Sequence, residues 1–532
     1  MVDNFSVSAL SAGPFRSSRR RLRNLAAASS RDLGVSAHSV VLSIDQGSSS
    51  SRVLAFGPDG TVIARAQEPL RSFYPAPGRV EHDPIELACS VERSLDAVFD
   101  ALDEDAVIEA VGLACQRSTV VAWDAETGKP AGRAPSWMDA RAGGFVSSLQ
   151  GDVALQQDVH HRTGLYLTPF YSAPKIRYMI DHSAAVKRLL EAGRLKVGPV
   201  SSYLLWRWTK GAVHRADPAM AQRMLLYNLE TGDWDERLLS LFAIPREILP
   251  EIAPSFGNPV SFVRRGRTLR ISATLGDQQA AAIGQGGGRL GTGFLNYGTG
   301  AFFLLNTGTE LHRLPGLLTS VAWETPDSGR EYFLEGTVHA AGTSLEWLKE
   351  NFGFLSDASE LDEAMRRSTR RLLTLQAIGG LGAPRWDYKT PTVIYGLDAS
   401  ARGDDIVRSV AESIAFLLAD IVDPIRQAGL SIERLRAAGG LARSERLLAF
   451  QADLLGQPIS RLLEREATAA GAAKLAARAA GLRESYSPSS EAVDKVFEPT
   501  MTAEEAKRLK AVWRRFVASQ QDAAAALRKL GY

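Results

Sequence analysis

Short apolar segments alternate with helix-like segments along the first third of the chain. A buried strand is predicted at residues 40–44, and further strands are predicted at 51–56, 61–66 and 107–114. Between them, Asp83 followed by Pro84 has the pattern of a helix start, and the helix is expected to continue to about residue 102. Strands and helices that alternate in this way predict an α/β fold.

The second half of the chain repeats part of this pattern. Residues 294–305 read as a strand, the turn Tyr297-Gly298-Thr299-Gly300 and a second strand. The segment LSIDQGSSSSRVLAF at 42–56 has the same plan, with glycine and hydroxyl residues in its turn. The repeat predicts a duplicated fold, although turns of this composition are common enough for chance to be an equal alternative.

A glycine cluster, GQGGGRLGTG at residues 284–293, separates these two halves. We interpret it as the join between two lobes. Gly286, Gly288 and Gly291 also spell GxGxxG, the fingerprint of dinucleotide-binding folds. That fingerprint follows a strand and opens a helix, whereas this one leads into a strand, so an NAD-dependent dehydrogenase is a weak alternative.

The carboxyl end predicts one long packing helix. Thr502 and Glu505 have the spacing of a capping box. The expected apolar face consists of Leu509, Val512, Trp513, Phe516 and Val517.

Length and composition describe an ordinary globular protein. The chain has 532 residues, of which 45% are hydrophobic and 23% charged, so two or more domains are expected. The two cysteines, Cys89 and Cys115, are expected to be buried thiols in a reducing compartment, the cytoplasm. No run approaches the roughly 20 apolar residues of a membrane-spanning helix, so no membrane association is expected.

The net charge of +2 is unevenly distributed. Residues 1–38 hold six arginines and two aspartates, a net charge of +4, so the rest of the chain carries −2. A folded part without a basic surplus argues against nucleic acid as a partner. The Arg/Ser-rich leader reads as a disordered tail, an over-long start or an organelle-targeting segment.

Two acidic residues at strand ends are the candidates for chemistry. Asp45 precedes a glycine and four serines, whose backbone N–H and hydroxyl groups suit phosphate oxygens, while the carboxylate suits Mg²⁺. Asp277 ends the β-like run ISATLGD and could take a proton in phosphoryl transfer, with a helix cap as its alternative role. No GxxxxGK[ST] loop occurs, so a Walker-type nucleotide site is excluded.

Ten segments identify a family. DQGSSSSR, VEHDP, QRS, SW, GDQQAA, NYGTG, AAGTSLEWL, GLGAPRWD, RAAGGLARSE and EATAAGAA resemble, in order and approximate spacing, the FGGY family of carbohydrate kinases, and within it the glycerol kinases most. The resemblance covers nearly everything from Ser39 onward. It implies two lobes, 39–285 and 286–532, with the actin/hexokinase-type (ribonuclease H-like) ATPase fold and an active site in the cleft.

The resemblance also implies roles for individual residues. Asp277 matches the general base, and Asp45 with Asp277 is implied as the carboxylate pair at Mg²⁺. Nucleotide-binding roles for ATP are implied for Ser48, Ser49, Ser50, Arg52, Thr299, Gly342, Glu346, Gly440 and Ser444. Ser444 departs from the asparagine common among glycerol kinases.

The implied acceptor pocket departs further from the family pattern. Its residues are Arg117, Ser118, Trp137, Phe170, Asp277 and Gln278. Ser118 replaces a glutamate that binds substrate hydroxyls, and Phe170 replaces a tyrosine, although Tyr171 could supply a hydroxyl in a shifted register. Because buried polar groups discriminate strongly between substrates, both changes bear on the acceptor.

The leading hypothesis is an ATP- and Mg²⁺-dependent kinase for a primary hydroxyl of a small polyol, with glycerol as the first candidate. The alternatives are a kinase for a longer polyol or ketose such as erythritol, xylitol, xylulose or ribulose, and a catalytically silent nucleotide- or sugar-binding regulator. A small polyol or sugar is the expected partner. The sequence leaves the oligomeric state open, a dimer or tetramer included.

Overall fold

The computed structural model describes residues 38–327, 329–463, 466–482, 486 and 492–531. Apart from His38, the leader predicted at residues 1–38 lies outside the described residues. Among the residues described, no helix is both long and apolar enough to cross a membrane.

The first half of the chain, up to Gly284, contains most of one lobe. Its strands are β1 (Ser39–Gln46), β2 (Ser50–Phe56), β3 (Val62–Pro69), β4 (Phe73–Ala76), β5 (Arg79–His82), β6 (Val107–Cys115), β7 (Val120–Asp124), β8 (Ala134–Pro135), β9 (Leu195–Pro199), β10 (Arg215–Ala216), β11 (Tyr227–Asn228), β12 (Asp233–Trp234), β13 (Glu251–Ile252), β14 (Phe256–Arg264) and β15 (Arg267–Gly276). Its helices are α1 (Pro84–Ala101), α2 (Gly143–Leu149), α3 (Val153–Thr163), α4 (Ser172–His182), α5 (Ala184–Glu191), α6 (Val200–Trp208), α7 (Pro218–Gln222), α8 (Glu236–Phe242) and α9 (Asp277–Gly284), with a 3₁₀ turn at Arg246–Ile248.

The remainder of the chain builds the second lobe. Its strands are β16 (Thr292–Tyr297), β17 (Ala301–Gly308), β18 (Leu318–Thr325), β19 (Gly329–Val338), β20 (Leu373–Leu375), β21 (Val393–Tyr395), β22 (Arg434–Ala438), β23 (Ile459–Leu462) and β24 (Val493–Phe497). Its helices are α10 (Gly342–Phe352), α11 (Leu361–Arg367), α12 (Gly403–Gln427), α13 (Glu445–Leu455), α14 (Ala467–Ala479) and α15 (Ala503–Lys529), with 3₁₀ turns at Ala358–Glu360 and Gly440–Arg443.

The two principal sheets share one topology, which confirms the duplication. The first sheet has the order β14-β15-β6-β1-β2-β3 and the second β18-β19-β17-β16-β22-β23-β24. In each, an antiparallel hairpin (β1 with β2, β16 with β17) stands beside two parallel strands, β6 and β15 in the first and β22 and β23 in the second. The turn of each hairpin therefore occupies an equivalent place in its lobe.

The predicted elements are largely confirmed. Asp83 caps α1 by accepting hydrogen bonds from the backbone N–H groups of Ile85 and Glu86, as the Asp-Pro pattern predicted. In α15, Trp513, Phe516 and Val517 are buried as expected, and Leu509 packs against that core.

Two expectations from the sequence are wrong, and one weak alternative is excluded. Val512 was placed on the buried face of α15, but it is 50% exposed because it lies at the edge of that stripe. Cys89 is only partly buried, whereas Cys115 is buried, and both are free thiols. The dinucleotide interpretation of the glycine cluster fails because the cluster follows helix α9 and leads into strand β16.

Helices α9 and α14 cross closely between the two principal sheets. A Cβ atom on Gly471 of α14 would lie 1.8 Å from the Ala280 carbonyl oxygen of α9, and one on Gly284 would lie 1.9 Å from the Ala467 carbonyl oxygen. Buried side chains from both sheets surround this pair in a single cluster. Helix α14 also packs on β1 and β6, so a helix from late in the chain completes the first lobe.

Candidate active site

The carboxyl ends of three parallel strands meet at one edge of the first sheet. In the register of β1, β6 and β15, Cys115 lies opposite both Gln46 and Gly276. Asp45, Arg117 and Asp277 therefore stand next to one another although up to 232 residues separate them in sequence. Ligands bind at such strand ends in open α/β sheets.

Asp45 is a buried carboxylate beside two other acidic groups. Arg52 Nη2 lies 3.4 Å from Asp45 Oδ2, and Arg52 Nη1 lies 3.1 Å from Glu466 Oε2. The pKa of Asp45 is raised to about 6, mainly by burial and to a smaller extent by the charges of Asp277 and Glu466, while the Arg52 charge opposes the shift. Two neighbouring carboxylates that destabilise each other's charge are a donor set that fits a hard divalent cation such as Mg²⁺.

The serine loop follows Asp45 as a tight turn. Gly47 N–H donates to the Ser50 carbonyl at 3.0 Å, and the loop leaves Ser49 exposed and Ser48 half-buried. The Ser50 hydroxyl accepts a hydrogen bond from Gln67 Nε2 at 3.0 Å, so it is directed toward β3. Ser51 contacts Ser90 of α1 and is completely buried. Ser48 and Ser49 are thus the serines best placed for a phosphate.

Asp277 is the first residue of helix α9. Its Oδ1 accepts a hydrogen bond from the Gln278 N–H at 2.7 Å and lies 3.7 Å from Arg117 Nε. Burial raises the pKa of this carboxyl, and the Arg117 charge opposes the shift. A carboxylate whose pKa is raised but which keeps a cation beside it is suited to accept a proton near neutral pH.

One lysine joins two walls of the predicted acceptor pocket. Lys175 of α4 is fully buried and donates to the carbonyls of Ser118 at 3.1 Å and Ser136 at 2.6 Å. Ser118 has a left-handed backbone, with φ of 63°. Trp137 follows Ser136, is 44% exposed, and is fixed by its N–H bond to Thr119 Oγ1. The walls are therefore held mainly through the main chain.

The two aromatic residues before α4 have different surroundings. The Phe170 side chain is 38% exposed, whereas Tyr171 is 9% exposed. The Tyr171 hydroxyl has a raised pKa because of burial, and the nearby charges of Arg223 and Arg117 oppose the increase. Tyr171 thus brings a phenol to the charged side of the pocket, which the sequence had left as an alternative.

The second lobe contains a cavity that is a candidate nucleotide site. This cavity of about 810 Å³ brings together all five residues predicted there, Thr299, Gly342, Glu346, Gly440 and Ser444. Its volume is within the usual range for cofactor sites. The NYGTG turn contacts the start of α10, where the N–H groups of Ala341 and Thr343 both donate to the Thr299 carbonyl.

The Ser444 hydroxyl makes its hydrogen bonds to other residues of the second lobe. It donates to Asp362 Oδ1 at 2.5 Å and caps α13 by accepting from the Leu447 N–H. The Asp362 carboxylate also accepts from the N–H groups of Glu445 and Arg446. Asp362 lines the cavity but was not predicted from the sequence.

Three further charged residues at the site were missed. Glu466 pairs with Arg52, and Glu335 of β19 pairs with Arg223 and Arg117. Glu335 carried a sequence signal, an acidic residue within the apolar strand segment YFLEGTV. Glu466 begins the segment EATAAGAA, which belongs to the family pattern, but no role was predicted for it, and Arg223 lies in a segment whose pattern does not distinguish it from a surface charge.

Comparisons with known proteins identify the family of this chain. The N-terminal domain of the FGGY family of carbohydrate kinases matches residues 40–284, and its C-terminal domain matches residues 293–480. Glycerol kinase of Alkalilimnicola ehrlichii is 39% identical over 90% of this chain and 97% of its own, and glycerol kinase 2 of Thermotoga maritima is 35% identical over 90% and 98%.

Solved structures show the same architecture. Plasmodium falciparum glycerol kinase with ADP superposes with a TM-score of 0.85 at 29% identity, covering 91% of this chain and 98% of its own. Xylulose kinase of Lactobacillus acidophilus, with ligand bound, superposes with a TM-score of 0.80 at 19% identity over 92% of this chain and all of its own, which shows a shared fold. The chain belongs to the FGGY family of carbohydrate kinases.

Proposed function

We propose that the protein transfers the γ-phosphoryl group of ATP to a primary hydroxyl of glycerol, forming glycerol 3-phosphate. The observation that carries this proposal is the position of Asp277, at the carboxyl end of β15 beside Arg117 and Asp45. The similarity to glycerol kinases over 90% of the chain supports glycerol as the acceptor.

In this reaction the Asp277 carboxylate accepts the proton of the attacking hydroxyl. The hydroxyl oxygen bonds to the γ-phosphorus as the bond from that phosphorus to the bridging oxygen of ADP breaks. Arg117 is positioned to hold Asp277 and to contact the acceptor, because its Nε lies 3.7 Å from the Asp277 carboxylate. Proximity of this kind accounts for much of the rate in phosphoryl transfer.

Asp45 and Asp277 would hold Mg²⁺, which supplies positive charge to the phosphate oxygens. Arg52 and the turn at Ser48 and Ser49 face the same edge from the first lobe, and Thr299 faces the cavity of the second. We place the adenosine in that cavity, between Gly342 and Gly440. The free thiols of Cys89 and Cys115 support a cytoplasmic setting.

The test replaces Asp277 with Asn and measures ADP release with glycerol. We expect turnover to fall at least about a hundredfold, since a positioned base contributes about 10²–10⁴. Asp83→Asn is the matched control, because Asp83 also stands at a helix start and Asn caps equally well. If D277N and D83N both retain wild-type turnover, Asp277 does not accept the proton and the proposed role is wrong.

A second candidate is a kinase for a four- or five-carbon polyol or ketose. It is favoured by the short Ser118 side chain, which leaves space where a glutamate would stand, and by the apolar Phe170. Comparing kcat/KM for glycerol, erythritol, xylitol, xylulose and ribulose separates the two. Protein that binds ATP but phosphorylates none of them would instead be a silent regulator.

A further inference from the structure

Glu335 is a charged residue in the interior of the second sheet. It lies in β19, opposite Leu304 of β17 and Leu318 of β18, and its side chain is 3% exposed. A carboxylate in such a place is costly unless cations and hydrogen bonds surround it. Both of its cationic partners come from the first lobe.

Those partners form a compact buried network. The Arg223 guanidinium pairs with Glu335 Oε2 and donates to Ser320 Oγ at 2.6 Å, and Ser320 in turn donates to Glu335 Oε2 at 2.7 Å. Arg117 Nη1 lies 3.5 Å from the same oxygen. These cations hold the pKa of Glu335 at about 2 against the opposing effect of burial, so the carboxylate stays ionised.

Arg117 is held at both ends of its guanidinium. Nη1 faces Glu335, while Nε faces Asp277 Oδ1 at 3.7 Å. Its aliphatic stem crosses Gly276, where an added Cβ would lie 2.9 Å from both Cγ and Cδ of Arg117. The orientation of this side chain in the acceptor site therefore depends on a carboxylate from the opposite lobe.

We propose that Glu335 is a positioning residue of the acceptor site, which anchors Arg117 against Asp277 from the nucleotide-binding lobe. The proposal rests on the function proposed above and deepens it. Without the carboxylate, Arg117 and Arg223 are left as two neighbouring buried cations that repel each other. Arg117 Nη1 also loses the anion that faces it, whatever residue stands at position 223, so Arg117 leaves its place beside Asp277 and the acceptor loses a contact that the nucleotide never makes.

The test is Glu335→Gln, which keeps the shape of the side chain and removes its charge. We expect the KM for glycerol to rise at least about tenfold, which corresponds to about 1.4 kcal/mol, while the KM for ATP changes less than about twofold. Calorimetric titration with glycerol in the absence of ATP should show the same loss of affinity. Glu331→Gln is the matched control, since Glu331 lies on the same strand and bonds to Trp323 instead.

A double variant separates positioning from simple charge balance. Arg223→Gln together with Glu335→Gln removes one buried cation along with the buried anion, so stability should recover relative to E335Q. The glycerol KM should stay raised, because Arg117 still lacks its anchor. Recovery of both stability and glycerol KM would overturn the proposal and leave Glu335 as a counter-ion of Arg223 alone.

The two proposals fail in different ways. If the wild-type protein phosphorylates no polyol, the proposed function is wrong. Wild-type protein with normal turnover, beside an E335Q variant whose glycerol KM and affinity are unchanged, removes only the role of Glu335.

Discussion

Gly471→Ala should destabilise the protein and slow it, because Gly471 marks the closest approach of helices α9 and α14. An alanine Cβ there would lie 1.8 Å from the Ala280 carbonyl oxygen and 2.7 Å from the Gly284 nitrogen. Ordinary contacts are about 3.5 Å, so the helices must separate by roughly 1.7 Å. Both obstacles are backbone atoms, which cannot rotate away as a side chain would.

The magnitude follows from two opposing terms. Overpacking a close-fitting interior costs about 1–3 kcal/mol. Replacing glycine by alanine within a helix returns about 0.5–1 kcal/mol. We therefore expect a net loss of about 1–2 kcal/mol in the free energy of unfolding. Turnover should also fall, by about ten- to a hundredfold, because α9 begins at Asp277 and a displacement of about 1 Å in a reacting group is costly.

The assay compares urea denaturation and ADP release in G471A with those of Gly144→Ala. Gly144 lies in helix α2, and a Cβ there would meet nothing within 4 Å. G144A should stabilise the protein slightly and leave turnover unchanged. If G471A is as stable and active as G144A, the close crossing does not exist in solution and the reasoning from it is refuted.

Two further outcomes are expected. Asp45→Asn should raise the unfolding temperature of the ligand-free protein at pH 8 but not at pH 4, while phosphoryl transfer is lost. The pKa of Asp45 in the folded protein is about 6, above the ordinary 3.8, so ionisation of this carboxyl lowers the free energy of unfolding as the pH rises from about 4 to 6. The loss is about 3 kcal/mol in all. An unfolding temperature of D45N at pH 8 equal to that of the wild type would contradict this prediction. Ser118→Glu should shift kcat/KM toward glycerol over xylitol by about tenfold or more, because it adds a hydroxyl acceptor and fills space; an unchanged ratio of the two kcat/KM values would show that residue 118 does not contact the acceptor.

Strand patterns and turn chemistry predicted much of this site. Asp45 and Asp277 were found because each ends an apolar run, and the glycine-and-hydroxyl turns suggested a duplication that the order of the strands in the two sheets confirms. Such signals are local, since a few neighbouring residues determine where a strand ends or a helix begins.

The charged network around the acceptor site could not be predicted from such local signals. Arg117 and Glu335 are 218 positions apart, and their contact depends on how the second lobe docks against the first. The Asp362 cap on α13 likewise joins a distant segment to a helix whose own Ser444 already had a capping pattern. Periodicity placed Val512 on the buried stripe of α15, but the width of that stripe is set by tertiary packing.

Lys175 holds the acceptor pocket together through the main-chain carbonyls of Ser118 and Ser136. These hydrogen bonds therefore do not depend on the side chain of residue 118, which we expect to contribute to substrate selectivity. Main-chain oxygens are the same for every amino acid, so a side chain that tolerates the left-handed backbone of position 118 can replace Ser118 while the hydrogen bonds of Lys175 remain. In a protein that keeps Lys175, a single substitution at position 118 can therefore change the acceptor specificity while the pocket stays folded. The same property recommends position 118 as the first to randomise in a search for new polyol kinases.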